Sequence, residues 1–115
     1  MNMKKEIIKK LINDFPQLKN EVNSTIYDFS EIYLHLIFGD IFNPYLIDLL
    51  ENPIINYNQL TKAGNLLEYM LLSSEEIQEV VVTTVLERLS DDPTNLLKFR
   101  EFAGKNTKKY INELL

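Results

Sequence analysis

The stretch NQLTKAGNLLEYMLLSSEEIQEVVVTTVLERLSDD, residues 58–92, decides how the rest of the chain is read. In its first half Leu60, Ala63, Leu66, Leu67, Met70 and Leu71 recur at helical spacing, which puts them on one face of a helix. Ser73 and Glu76 then stand as a capping box stands, each side chain placed to satisfy a backbone N–H at the start of a second helix. On that helix Ile77, Val80, Val81, Val82, Val85, Leu86 and Leu89 take more than half of the circumference, leaving Glu79, Thr83, Glu87 and Ser90 as a narrow polar stripe. A helix so apolar must be wrapped by neighbours. The run VVVTTV, residues 80–85, argues for a strand, because β-branched residues favour one. The capping box, the polar stripe and a length beyond that of an ordinary strand decide for a helix.

Working outward, the N-terminal side opens with Ile7, Ile8, Leu11, Ile12 and Phe15 at helical spacing and Lys4, Lys5, Lys9 and Lys10 opposite them. Pro16 interrupts this amphipathic helix, and Leu18, Val22, Ile26 and Phe29 mark a second one capped by Asp14. Residues 30–38, SEIYLHLIF, alternate as a strand does, yet no second strand exists to pair with them. They are read as helix or extended connector. Gly39 permits a positive φ, Asn43 makes a good N-cap and Pro44 a good first helical residue, so a short helix is predicted over residues 44–51 with Leu46, Leu49 and Leu50 inward and Phe42 as a staple. Pro53 sets its stop. On the C-terminal side Asp92 and Pro93 repeat the cap-plus-proline start, Leu96, Leu97, Phe99 and Ala103 line a helix ending at Gly104, and Thr107 caps a last helix on which Tyr110, Ile111, Leu114 and Leu115 share a side.

These readings give an all-α fold: a single domain over residues 1–115, with six or seven short-to-medium helices packed as successive antiparallel hairpins around the central buried helix. A length of 115 residues with 45% hydrophobic and 25% charged residues is ordinary for one globular domain. With no cysteine, disulfides, thiolate metal sites and thiol nucleophiles are excluded. Charges break up the apolar residues of MNMKKEIIKKLI, so it does not read as a signal peptide, and no apolar run reaches the roughly 18 residues of a membrane span. A cytoplasmic protein that binds neither membrane nor nucleic acid is expected.

The net charge of −5 is unevenly spread. Residues 1–19 carry five lysines and two acids, +3, and residues 98–115 carry five basic residues and two acids, again +3. Residues 20–97 carry thirteen acids against Lys62 and Arg88, a balance of −11. A field of that sign repels nucleic acid and steers a basic protein surface. The plainer reading is that acids occupy first helical turns and solvated faces.

Motifs that carry chemistry are missing: no glycine-rich phosphate loop, no nucleophile elbow, no paired-histidine metal motif and no acidic calcium loop. Carboxylates are the plentiful reactive groups. Glu75, Glu76, Glu79 and Glu87, or Glu68 and Asp40 if buried together, offer a cation site or an acid–base pair, but no second ligand type accompanies them. His35, the only histidine, is read as a hydrogen-bonded structural residue because no partner for general-base work is evident. Phe38, Phe42, Tyr45, Tyr57 and Tyr69 are aromatic anchors or core, and Tyr57, with polar neighbours, is the surface candidate.

The strings FGDIFNPYL (38–46) and LLEYMLLSSEEIQEVVVTTVLERL (66–89), with Asp91, Asp92, Gly104, Lys105 and Thr107, resemble a family of small, uncharacterised all-helical bacterial proteins similar to immunity-type proteins of polymorphic or contact-dependent toxin systems. The pattern there is Gly-Pro-Lys-Thr where this chain has Gly104-Lys105-Asn106-Thr107. The resemblance implies a binding protein and carries no catalytic residue. The resulting expectation is a non-enzymatic inhibitor, without cofactor or metal, whose Asp40, Asp48, Glu51, Tyr57, Glu75, Glu79 and Glu87 face a basic toxin or nuclease domain. Homo-oligomerisation is left open, as are a helical regulatory module without a toxin partner and a small carboxylate-based enzyme or ligand-binding domain.

Overall fold

Residues 3–115, which the computed structural model of the protein describes, form an all-α fold with no strand among them. Seven helices follow one another among the described residues. They are α1 (Met3–Asp14), α2 (Lys19–Phe29), α3 (residues 34–50), α4 (Tyr57–Leu71), α5 (residues 75–89), α6 (Pro93–Arg100) and α7 (Lys105–Leu114). For α4 and α5 the apolar periodicity marks the helix because it is what the helix buries. Leu60, Ala63, Leu66, Leu67, Met70 and Leu71 of α4 and Ile77, Val80, Val81, Val85, Leu86 and Leu89 of α5 all lie in one continuous core. Each Val, Leu, Ile or Met among them contributes roughly 1.5–3 kcal/mol by leaving water. Helix α4 packs against α1, α3, α5 and α7, and α5 against α3, α4 and α7. The radius of gyration of 13.3 Å is that of a chain of this length folded around one core, ~13 Å.

Several local expectations are corrected. The start of α5 is capped by Ser74, whose hydroxyl accepts from the Ile77 N–H at 3.4 Å. Ser73 instead donates to the Tyr69 carbonyl at 3.0 Å, and Glu76 pairs with Lys4 at 3.3 Å. The cap lies one residue later than predicted, and with Ile77 three residues beyond it no reciprocal box forms. Asp14 is the last residue of α1, and α2 is entered through a tight 3-10 turn, Pro16–Leu18, without a side-chain cap. Phe29 is not core: it is 55% exposed and meets Tyr33 edge-on at 5.7 Å, because Ser30 turns the chain with a left-handed φ of 54°. Residues 31–33 run outside any helix and α3 begins at Leu34, so the ambiguous segment is connector and then helix. Leu97 is half exposed, and of the last helix's expected apolar side only Ile111 is buried.

The largest correction concerns α3. No helix starts at Asn43; the chain runs helically from Leu34 to Leu50 through a π-helical segment, Phe38–Phe42, in which the Asn43 N–H reaches back five residues to the Phe38 carbonyl. Proline lacks a donor and its ring strikes the carbonyl four residues earlier. The widened turn just before Pro44 makes room for that ring, so the helix continues. Asn43 is buried, and its Nδ2 donates to the Thr84 carbonyl at 2.9 Å. Gly39 has no positive φ. Its missing side chain serves close approach, since a Cβ there would run into the Arg88 guanidinium. Phe42 is no staple but a fully buried core residue against Phe38 (5.1 Å) and Phe15 (6.0 Å). Helix α5 contains a second π segment, Val80–Leu86, which packs on the first. Here lies the β-branched run that argued for a strand: the wider turn relieves the crowding such side chains meet in an α-helix.

Candidate functional site

Two groups of side chains stand out beyond the core, one polar and inward, one apolar and outward. The first is centred on Glu68, near the end of α4. Residues 101–104 press the turn between α6 and α7 onto α4, where a Cβ on Gly64 would strike the Phe102 carbonyl and one on Gly104 would come within 2.5 Å of Glu68. The Glu68 carboxylate thereby reaches the start of α7. Its Oε2 accepts from the Asn106 N–H at 3.1 Å and from Asn106 Nδ2 at 2.7 Å. Its Oε1 accepts from the Thr107 N–H at 2.9 Å and from the Thr107 hydroxyl at 2.7 Å.

One side chain from α4 therefore caps a helix on the other side of the chain, satisfying N–H groups that have no partner within α7 and placing negative charge at its positive end. Burial pushes the Glu68 carboxyl up, but the hydrogen bonds from Thr107 and Asn106 outweigh it and hold the group below its ordinary range. Thr107 is thus not the cap but a fully buried donor to it, and Gly104, expected to end α6, is the N-cap residue of α7. The sequence reading had offered Glu68 as an acid or base paired with Asp40. Glu68 is instead occupied as a cap, and Asp40 pairs with Arg88 at 3.8 Å.

Gly104 is extended (φ −73°, ψ 173°) and Lys105 opens the helix. That backbone suits a residue before proline, and a proline at a first helical position lacks only an N–H the helix does not use. The substitution Lys105→Pro, which restores the proline of the resembled pattern, is expected to raise stability by about 0.4–1 kcal/mol through the unfolded chain's lost freedom. Denaturant unfolding would read this directly, and a loss of stability would contradict it.

The second group is the turn between α3 and α4. Leu49 O accepts from Asn56 Nδ2 at 3.1 Å and from the Asn52 N–H at 3.2 Å, and the Asn56 N–H closes on Asn52 O at 3.0 Å. The turn so fixed holds Ile54 91% and Ile55 80% exposed, beside Tyr57, which is 61% exposed and packs edge-on against Phe102 at 5.4 Å. Of the acids expected to face a partner, Asp48 and Glu51 lie at this end of α3, immediately before the turn. Glu75 and Glu79 lie at the start of α5, and Glu87 lies near its end, next to the Arg88 that holds Asp40. All six acids and Tyr57 are exposed, but they do not form one cluster. Ile54 and Ile55 were missed by the sequence reading. Their signal was an apolar pair, just after Pro53, that belongs to no helical period.

Among the described residues, no three His, Asp or Glu side chains converge as metal ligands. His35 is held by Thr84, with Nδ1 2.5 Å from Oγ1, in the region where the two π segments pack together. No described helix is long and apolar enough to cross a membrane. Over residues 8–115 the sequence matches the family model DUF7674, described as a domain of unknown function. No curated protein and no solved structure matches the chain.

Proposed function

The chain belongs to this DUF7674 family, and from that premise we propose a non-enzymatic protein-binding domain that covers a basic surface of its partner, as an immunity-type inhibitor covers a toxin domain. The observation that carries this reading is the exposure of Asp40, Asp48, Glu51, Glu75, Glu79 and Glu87 on a segment of the chain with only two cations, one of which, Arg88, is already engaged by Asp40. A surface of one sign accelerates and orients association with the opposite sign. Glu79 and Glu87 lie on one helix, α5, and are both exposed, so they are the acids tested together. Exposed aromatic and aliphatic side chains supply the anchoring that charge does not.

The test is capture of the tagged protein from its own cells, identification of a stoichiometric companion, and repetition with the Glu79→Lys, Glu87→Lys variant. The expected companion carries a basic domain, and the variant is expected to lose at least about tenfold in affinity for it, with a matching loss of protection when the two are co-expressed. Unchanged binding and protection would rule this face out.

A further inference from the structure

Helix α2 is fixed at its first end and loosely seated at its last, and we infer that it is a hinged strap that lifts off α1 as a unit while the rest of the domain stays folded. After the Pro16–Leu18 turn α2 runs back along α1, so that its last turn comes beside Lys4 and Lys5. Its apolar row is Leu18, Val22 and Ile26, spaced by four. Burial falls toward the tip: Leu18 and Val22 are buried, Ile26 is partly buried, and Phe29 is 55% exposed. In 11 residues α2 fully buries Val22 alone, where α4 buries a whole face.

The two ends differ in how they are held. At the first, Phe15 is fully buried against Phe42 and Tyr45, the Leu18 N–H closes on the Phe15 carbonyl at 3.0 Å, and the Gln17 side chain meets the Tyr45 hydroxyl. Of the elements around it, α2 meets this turn most. The tip is not packed shut. Ile26, Ser30, Glu31 and Ile32 line a cleft of about 390 Å³ whose other wall is Lys4 and Lys5 of α1. Across such a gap the side chains forfeit the attraction that close packing would give. What holds the tip is an edge-on contact of Phe29 with Tyr33, itself 44% exposed.

Ser30 is the second hinge. Among the described residues it is the one non-glycine with a positive φ, 54°, a conformation in which a Cβ crowds the neighbouring carbonyl. Its N–H reaches the Tyr27 carbonyl over a long 3.3 Å. Lifting the strap releases this strain, so the closed form carries part of the cost of its own opening. Once lifted, α2 also melts, because 11 residues fall short of the roughly 12–15 at which an isolated helix is marginal in water. Opening bares Val22 and Ile26 together with Ile8 and Ile12, which stand along α1 on the side of Lys5. The open state thus presents an apolar strip that the closed state hides.

The chain has no cysteine, so a single introduced thiol reports the opening. Val22→Cys and, as reference on α5, Val85→Cys make the same exchange at two fully buried positions. Each variant is treated with a thiol reagent, and its labelling rate is set against its own global unfolding equilibrium from urea titration. Val22→Cys is expected to react at least about a hundredfold faster than global unfolding allows, at a rate nearly flat in low urea. Val85→Cys is expected to react no faster than global unfolding allows, with a rate that climbs steeply with urea. A Val22→Cys thiol that reacts only as fast as its variant unfolds, with the same urea slope, overturns the inference. Hydrogen exchange of the unaltered chain decides independently of any substitution. The amides of α2 are expected to be at least about a hundredfold less protected than those of α4, and equal protection of the two helices would mean that α2 opens only with the whole domain.

Discussion

Glu68→Ala is expected to lower stability by about 3 kcal/mol at neutral pH, more than any other exchange of one surface-accessible side chain in this protein. Three losses combine. The Thr107 N–H and hydroxyl, in a fully buried residue, lose their acceptor Oε1, and an unsatisfied buried donor costs about 1–3 kcal/mol. The Asn106 N–H loses its cap, worth about 1 kcal/mol, although water can replace this contact. The carboxylate also leaves the positive end of α7, a further few tenths of a kcal/mol. For a domain of this size the sum corresponds to a fall in Tm of roughly 10 °C.

The pH dependence follows from the same hydrogen bonds. Glu68 is held below its ordinary value of 4.5, so its contribution is complete above that value and is lost as the pH falls through the lower, folded-state one. The wild-type and Glu68→Ala proteins should therefore differ most at neutral pH and converge as the pH falls below 4.5 and through the lower folded-state value. Urea unfolding at several pH values would show it. A difference under about 0.5 kcal/mol at pH 7, or one that does not shrink in acid, would mean that Glu68 is not the cap of α7. Glu68→Gln should recover part of the loss, because the amide oxygen can still accept from Thr107 while its NH2 is left facing the Asn106 donors.

Gly64→Ala is the second large effect, and its sign is opposite to that of the usual rule. In an exposed helix interior the change from glycine to alanine stabilises by about 0.5–1 kcal/mol. At Gly64, inside α4, the new methyl would collide with the Phe102 carbonyl, which belongs to the backbone and cannot rotate away. Either α4 or the turn over residues 101–104 must move, and with that turn go Gly104 and the Glu68 contacts. A net loss of roughly 2–3 kcal/mol is expected, within the range of overpacked cores. Because both substitutions act on one junction, Gly64→Ala combined with Glu68→Ala should cost clearly less than the sum of the two. A stabilised Gly64→Ala protein would show that the α6–α7 turn is not seated on α4.

How much of this was open to sequence reading depends on how far apart the interacting residues are. The capping residue Asp92 was legible because its acceptor and donor are two residues apart: its carboxylate takes the Thr94 N–H at 3.0 Å. Ser73 and Ser74 are both competent caps, and only the backbone path chooses Ser74. Gly39, Asn43 and Pro44 carry the local signature of a helix start. That signature is overruled where Arg88, 49 residues after Gly39, fills the space beside it and Thr84, 41 residues after Asn43, takes the Asn43 amide, and a wider π turn replaces the break.

The exposed candidates divide in the same way. That Asp48, Glu51, Glu75, Glu79 and Glu87 face solvent was readable from their positions opposite the apolar faces. That they are spread over different ends of the molecule, and that Asp40 is tied to Arg88, was not. Ile54 and Ile55 are the reverse case: their exposure was implied by a turn between two helices, but an apolar pair is read as core by default.

By itself the sequence determined the all-α class, the helix-forming stretches and nearly every core residue of α4 and α5, because these depend on apolar spacing within one turn and on capping within three residues. Only the tertiary structure decided that α3 is continuous, that Glu68 is a cap rather than an acid or base, and that Ile54 and Ile55 are held outward by the Asn56 hydrogen bonds. Each of these is set by groups far apart along the chain that meet only when the core closes, and no local preference of a kcal/mol or less stands against many side chains buried together.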